Sequence, residues 1–137
     1  MKTVIVAWLV ALVTVCVANA QTKTKPALSS GISVKMPIAS HPVEVPAADQ
    51  QHATVVSVTA DGRMFIGTRQ VETSALASLA EGTVYVKADA RVPYQNVLTV
   101  LDALRGHPVV LLTAPGSNVR RGNIIPPYGV KVTMGGR

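Results

Sequence analysis

Cysteine is nearly absent, since Cys16 is the only one among 137 residues. A single thiol excludes a disulfide framework and a zinc site built from several cysteines within one chain. Aromatic residues are also scarce, at 4%, whereas apolar residues make up 48%. This length and composition favour one compact domain with extensions, held together by apolar packing, and exclude a multidomain enzyme.

Catalytic sequence motifs are lacking as well. The chain contains no Gly-rich phosphate loop, no HExxH motif and no nucleophile elbow. Each of the three histidines, His41, His52 and His107, is expected to be a surface or turn residue, because a metal site needs several ligands at fixed spacing. We therefore predict a protein that is not an enzyme and that needs no cofactor or metal. Asp89 and Asp102 are expected to cap a helix or to form surface ion pairs.

The first twenty residues indicate export. Met1 and Lys2 precede an apolar run over residues 3–17, and Ala18-Asn19-Ala20 supplies the small residues of a cleavage site. Residues 1–20 are thus predicted to be a signal peptide or, alternatively, an uncleaved signal anchor. Cleavage would release an exported protein, and an uncleaved segment would anchor it in a membrane.

The charge balance indicates which partners to expect. The chain has thirteen Lys and Arg and seven Asp and Glu, which gives a net charge of +6, and removal of Lys2 with the leader leaves +5. A basic surface outside the cytoplasm favours anionic lipids or cell-wall polymers. Only Arg120 and Arg121 are adjacent cations, without interleaved aromatics, so we expect no nucleic-acid partner.

Residues 21–53 are predicted to be an extended tether, because they are rich in proline, serine and alanine and lack sustained periodicity. Within the tether, residues 32–37 alternate apolar and polar side chains, as a short strand would. Pro37 lacks an amide hydrogen, which restricts this strand to a sheet edge or a strand end.

Residues 54–113 are predicted to be the folded domain. Alternating apolar residues on both sides of Asp61-Gly62 predict a β-hairpin, and Gly67 is expected to turn the chain again. Thr73 is a plausible N-cap for a short helix, and a longer helix is expected to carry Pro93 in its first turn. The strands between and after these helices are predicted over residues 83–87 and 109–113.

The order β-β-α-β-α-β predicts an α+β fold. Helical crossovers between the later strands imply parallel neighbours with right-handed connections. The expected architecture is a two-layer sandwich in which two helices cover one mixed sheet.

Residues 114–137 form a basic tail with four cations and no acid. Val130 to Met134 alternate in polarity, which is compatible with an added edge strand. The other interpretation is a solvated end of the chain, and composition favours it.

The middle of the chain resembles the periplasmic domain of the ExbD/TolR family. The segments that carry the resemblance are residues 58–67 (VTADGRMFIG), 86–94 (VKADARVPY), 100–104 (VLDAL) and 109–113 (VVLLT), with 34–40 (VKMPIAS) upstream. Together they extend over about residues 32 to 113, and the two-layer fold of that family agrees with the pattern above.

The resemblance implies a dimeric, non-catalytic subunit of a proton-driven complex in the inner membrane. Such subunits work with an ExbB/TolQ-like polytopic protein and energise a TonB/TolA-like protein. A sheet edge to which a partner strand adds would suit this role. The expected partner-binding residues are Val34, Lys35, Met36 and Pro37, with Tyr94 and Asp102 as secondary contacts.

One departure keeps a second interpretation open. Family members carry an aspartate in the transmembrane helix, whereas no acid occurs between Thr3 and Ala20 here. An acid within the bilayer is costly and therefore marks a function, so its absence removes the expected proton-coupling role. The alternative is an exported binding module for peptidoglycan or an envelope protein.

Overall fold

The computed structural model describes residues 31–116 and 126–133. The predicted signal peptide or anchor, the first part of the tether and most of the basic tail lie outside these ranges. Within them, no helix combines the length and apolar character that crossing a membrane requires.

The described residues form one seven-stranded mixed sheet with two α-helices, an α+β fold as predicted. The strands are β1 (Val43–Glu44), β2 (Thr54–Val58), β3 (Met64–Ile66), β4 (Arg69–Val71), β5 (Val84–Ala88), β6 (Val109–Thr113) and β7 (Tyr128–Val132). The helices are α1 (Thr73–Leu79) and α2 (Tyr94–Ala103).

The strand order is β1-β7-β6-β5-β2-β3-β4. The central strand β5 is parallel to β2 on one side and to β6 on the other, and the remaining pairs are antiparallel. The parallel pairs are those joined through helices, because a parallel connection must return the chain to the same end of the sheet. The carboxyl ends of β2, β5 and β6 therefore lie along one edge.

The predicted hairpin joins β2 to β3. Val56 faces Ile66 in its register, and Gly62 has a φ of 83°, the left-handed conformation that glycine adopts easily. A Cβ atom at Gly62 would collide with the side-chain amide of Asn96 on α2. Gly67, with a φ of 63°, leads the chain into β4, a strand that the sequence did not predict.

The main core lies between the sheet and the helices. Leu76 of α1 and Val100 of α2 are buried against Val56 and Val86, and Leu104 follows α2 with no exposed surface. Alternate residues of the parallel strands supply the sheet side of this core, as the period of two requires.

The helix starts differ by one residue from the prediction. Glu72, not Thr73, occupies the N-cap of α1, and its side chain makes no capping hydrogen bond. The Thr73 hydroxyl instead contacts Met64 Sδ at 3.7 Å. Pro93 occupies the N-cap of α2 and not its first turn. In both cases the residue named from the sequence is adjacent to the observed boundary.

A second, smaller core lies on the opposite face of the sheet. Tyr85, Val110 and Leu112 point to this face, and Ala48 from a 3-10 turn at Pro46–Asp49 is buried against them. Met36 and Val45 are among the partly buried residues that complete the cluster. Much of the predicted tether is therefore packed on the sheet in the described part of the chain.

The predicted strand over residues 32–37 is not formed. Lys35 uses its backbone groups to bond Asp89 and Ala90, so it makes no ladder with a neighbouring strand. The nearest regular pairing is a single parallel bridge between Ile38 and Ala114. We call residues 32–38 the strap, because they cross the sheet edge without joining the sheet.

The tail contributes a strand, β7, to the sheet. β7 pairs with β6 over its whole length, and the two-residue strand β1 pairs on the other side with Tyr128 and Gly129 only. Residues 130–132, for which the sequence suggested an edge strand, have no strand on their outer side among the described residues. Gly129 makes this packing feasible, because a Cβ atom there would lie 2.8 Å from Val110 Cγ1 and 2.9 Å from the Leu111 carbonyl oxygen.

Candidate partner-binding surface

The strap follows the edge at which the parallel strands end. The Ala90 amide, just beyond β5, donates to the Lys35 carbonyl oxygen at 2.7 Å. The Ala114 amide, just beyond β6, donates to the Pro37 carbonyl oxygen at 2.9 Å. These two bonds fix the strap across two neighbouring strand ends.

The Asp89 side chain binds the strap through a hydrogen bond. Its Oδ2 accepts a hydrogen bond from the Lys35 amide at 3.1 Å, and the residue is only 5% exposed. Arg91 donates from its backbone amide at 3.0 Å and from Nε at 2.9 Å to Oδ1, and from Nη2 at 3.1 Å to Oδ2. The Arg91 side chain, which remains largely exposed, neutralises a carboxylate that would be costly to bury alone.

These contacts change the acidity of the carboxyl group. Hydrogen bonds from the Arg91 side chain, then from its backbone amide, hold the pKa of Asp89 well below its ordinary value of 3.8. Burial acts in the opposite direction and is overcome, while the Lys35 amide adds a further lowering. Asp89 is thus ionised at neutral pH and acts as a fixed acceptor rather than as an acid or a base.

The middle of the strap has unused backbone groups, whereas at its start the Ile32 amide donates to the Gly67 carbonyl oxygen at 3.3 Å. In an extended chain, the amide and carbonyl groups of successive residues point to opposite sides. Lys35 and Pro37 direct theirs to the domain, so Val34 and Met36 direct theirs outward. The backbone groups of Val34 and Met36 have no hydrogen-bond partner within residues 31–116 and 126–133.

The side chains of the strap alternate between half-buried and exposed from Val34 to Pro37. Val34 and Met36 are half-buried, and Met36 packs on the second core. Lys35 and Pro37 are exposed, and Ile38 is 70% exposed. A single exposed apolar side chain is ordinary on a protein surface, so Ile38 alone does not mark a binding site.

The two secondary candidates lie in different places. Tyr94 is 75% exposed and begins α2, four residues after Ala90, so it lies at the same edge as the strap. Asp102 lies eight residues further along α2, roughly 12 Å away at 1.5 Å per residue. It pairs with Arg105 at 2.9 Å and borders a shallow hollow between α1 and α2. The structure therefore groups Tyr94, but not Asp102, with residues 34–37.

Asp89 and Arg91 are the site residues that sequence reasoning missed. The sequence suggested a helix cap or a surface ion pair for Asp89; it makes the ion pair and does not cap α2. The signal was available in the spacing, because an Asp-x-Arg sequence directly after a buried strand allows the arginine to fold back on the carboxylate.

The described residues provide no metal-binding cluster at this edge. Among the described residues, no group of three or more His, Asp or Glu side chains is placed to hold a metal ion. His41 and His52 are exposed, and His107 lies in the turn before β6. The edge presents the free backbone of Val34 and Met36, the exposed side chains of Pro37, Ile38 and Tyr94, and the cations Lys35 and Arg91.

Comparison with known proteins identifies the family. None of the curated proteins matches the chain. A family model described as biopolymer transport protein ExbD/TolR matches residues 5–115, which include α1, α2 and strands β1 to β6. This match covers well over half of the 137 residues and agrees with the resemblance carried by the strap, the hairpin and the segment around Asp89. The chain belongs to the ExbD/TolR family of biopolymer transport proteins.

Proposed function

We propose that this protein is a non-catalytic, periplasm-facing subunit of an energy-transduction complex and that its strap pairs with a strand of a partner protein. The family consists of transport components that are not enzymes and that are typically anchored in the inner membrane. Residues 34–37 provide the backbone for the pairing, Tyr94 provides a neighbouring contact, and Asp102 provides a separate contact on α2.

The outward backbone groups of Val34 and Met36 carry this proposal. These two residues are two positions apart, and their backbone groups are unpaired on one side of the segment. An edge strand without a neighbour has the same hydrogen-bonding pattern. The inward bonds of Lys35 and Pro37 hold the segment in place before a partner arrives, which lowers the entropic cost of binding.

The family narrows the identity of the partner. ExbD/TolR proteins generally work with ExbB/TolQ and TonB/TolA proteins. For this chain we propose an ExbB/TolQ-like polytopic protein in the membrane and a TonB/TolA-like protein at the strap, with two copies of the chain forming a homodimer. An N-terminal anchor helix would keep the domain at the inner membrane.

Site-specific photo-crosslinking tests the strap directly. A benzoylphenylalanine at position 35, which is exposed, is expected to capture the TonB/TolA-like protein in whole cells, identified by mass spectrometry. The control position is Glu81, which is also exposed and precedes the amino end of β5. Equal capture from positions 35 and 81 would contradict the proposal.

A matched pair of variants at Met36 separates backbone from side chain. Met36→Pro removes both the outward amide hydrogen and the thioether, whereas Met36→Ala removes only the thioether. We expect Met36→Pro to give about fivefold less adduct than Met36→Ala, as the loss of one intermolecular hydrogen bond predicts. Equal yields from the two variants would show that the Met36 amide takes no part.

The leader favours a second candidate function. Because no acid occurs between Thr3 and Ala20, an exported binding module without proton coupling is the alternative. Its ligand would be peptidoglycan or an envelope protein, and its location would be the soluble periplasm. Trp8 is the only tryptophan, so loss of indole emission, together with the intact mass, would reveal cleavage of the leader. A cleaved protein that pulls down with isolated peptidoglycan would favour this candidate over the motor subunit.

A further inference from the structure

A groove lies on the face of the sheet opposite the helices, beside the strap. Its volume is about 300 Å³, at the lower end of the range for small-molecule sites. Its apolar walls are Met36, Val55, Leu112, Pro115, Pro126 and Pro127. The groove therefore suits a small ligand with an apolar body.

Lys87 brings a positive charge to this groove. It lies on β5 with its side chain half-buried on the second face, and burial lowers the pKa of its amine below the usual value. A cation that is partly withdrawn from water costs free energy unless an anion compensates it.

No acidic side chain of this protein neutralises the charge of the Lys87 ammonium group. All seven of its acidic residues lie in the described part of the chain, and none of them is within 4.0 Å of the Lys87 ammonium group. Three of them pair with arginines, and Glu44 bonds to the Tyr128 hydroxyl at 3.2 Å. Asp49 borders the groove but is exposed and makes no ion pair with Lys87.

We propose that this groove binds a small carboxylate with an apolar body, with the Lys87 ammonium group on the carboxylate and the apolar walls around the rest. The ligand is either a free organic acid or the carboxyl terminus of a short peptide, since both present the same chemistry. The proposal goes beyond strand pairing at the strap, because it uses a side chain on β5 and not the backbone of residues 34–37.

Protection of Lys87 from acetylation is the test, carried out on the full chain. The free-acid probe is 4-methylpentanoate, with 4-methylpentanamide as its neutral control. The peptide probe is N-acetyl-alanyl-leucine, with its C-terminal amide as control. Lys35 and Lys131, both exposed, report on general reactivity in the same sample.

We expect Lys87 alone to be protected, and only by the acids. At about 10 mM probe and a Kd of about 1 mM, its acetylation should slow by about tenfold. Stronger protection by the peptide acid would identify a peptide terminus as the source, and stronger protection by 4-methylpentanoate a free acid. Equal protection by acids and amides, equal protection of Lys131, or no protection at about 10 mM would overturn the proposal.

Substitution provides a second measurement. Lys87→Gln should weaken binding of the carboxylate by about tenfold or more, as the loss of a charge-assisted hydrogen bond predicts, and Lys131→Gln should leave it unchanged. The rise in Tm caused by the acid probe reports this difference. Retention of the full Tm shift in Lys87→Gln would overturn the proposal. Photo-crosslinking from position 35 in the same variant tests strand pairing separately, so the two proposals fail independently.

Discussion

The Asp89 carboxylate accepts a hydrogen bond from the backbone amide of Lys35, although the two residues are 54 positions apart in the chain. Arg91 holds the carboxylate from the other side. This contact joins the strap to the end of the central strand, so the position of the proposed binding segment depends on one buried acid.

Removal of this acid should release the strap. In Asp89→Ala the Lys35 amide loses its acceptor, and we expect its hydrogen exchange to accelerate by about tenfold or more. The matched control is Asp102→Ala, which breaks an exposed ion pair with Arg105 and should leave exchange at Lys35 unchanged. Exchange by NMR or mass spectrometry measures both. Unchanged protection of Lys35 in Asp89→Ala would contradict the structure at this point.

The same carboxylate should make stability depend on acid pH. Its pKa is lowered in the folded state, mainly by the Arg91 side chain, from an ordinary value of 3.8. The stabilisation that the Asp89 carboxylate gives the folded state is therefore complete above pH 3.8, and it is lost as the pH falls toward the folded-state pKa. The free energy of unfolding, from urea denaturation between about pH 5 and pH 3, should fall in the wild type and fall less in Asp89→Ala.

Some acid sensitivity should remain in Asp89→Ala. The Thr59 hydroxyl, followed by Arg63, also lowers the pKa of Asp61. Because Asp61 is exposed, its contribution to the pH dependence of the unfolding free energy should be smaller than that of Asp89 and should decrease with added salt. Identical slopes for wild type and Asp89→Ala would show that the Asp89 contacts do not persist in solution.

The main core should be sensitive at Leu104. This side chain has no exposed surface and belongs to the core that helix and sheet residues form together. Leu104→Ala should lower the free energy of unfolding by about 2–5 kcal/mol. Val130→Ala is the control, because Val130 is 41% exposed and its truncation should cost less than about 1 kcal/mol. Chemical denaturation measures both values.

A substitution at Gly129 tests the packing of β7 against β6. An added Cβ atom would press on Val110 and on the Leu111 carbonyl group, so Gly129→Ala should destabilise the fold by about 1–3 kcal/mol. Lys131→Ala, two positions along the same strand and exposed, should cost less than about 0.5 kcal/mol. Equal stabilities for the two variants would mean that β7 does not lie against β6 in solution.

Regular elements could be predicted from the sequence because their patterns are periodic. The hairpin around Asp61-Gly62 repeats apolar residues at a spacing of two, and the helix after Pro93 repeats them at a spacing close to 3.6. The buried strand β6 is instead a continuous apolar run between two prolines. These elements form the sheet and its helical layer, and the fold class follows from their order. The resemblance to the family also rests largely on these segments.

The packing of residues 36–53 on the second face of the sheet could not be predicted from periodicity. Met36, Val45 and Ala48 contact the sheet from an irregular segment and a 3-10 turn, so their spacing follows neither period. Proline and serine around them have the composition of a linker, whichever surface they cover. The contact between Asp89 and Lys35 was hidden for a different reason, because it joins residues distant in the chain.

The position of β7 between β6 and β1 has a consequence for biosynthesis. A chain that crosses a membrane amino end first delivers Tyr128–Val132 after every other described strand. Until then the backbone groups of β6 that pair with β7 have no partner, and a strand of another protein molecule can pair with them. Premature termination before Tyr128 would leave this gap permanently open, and the shortened product should self-associate.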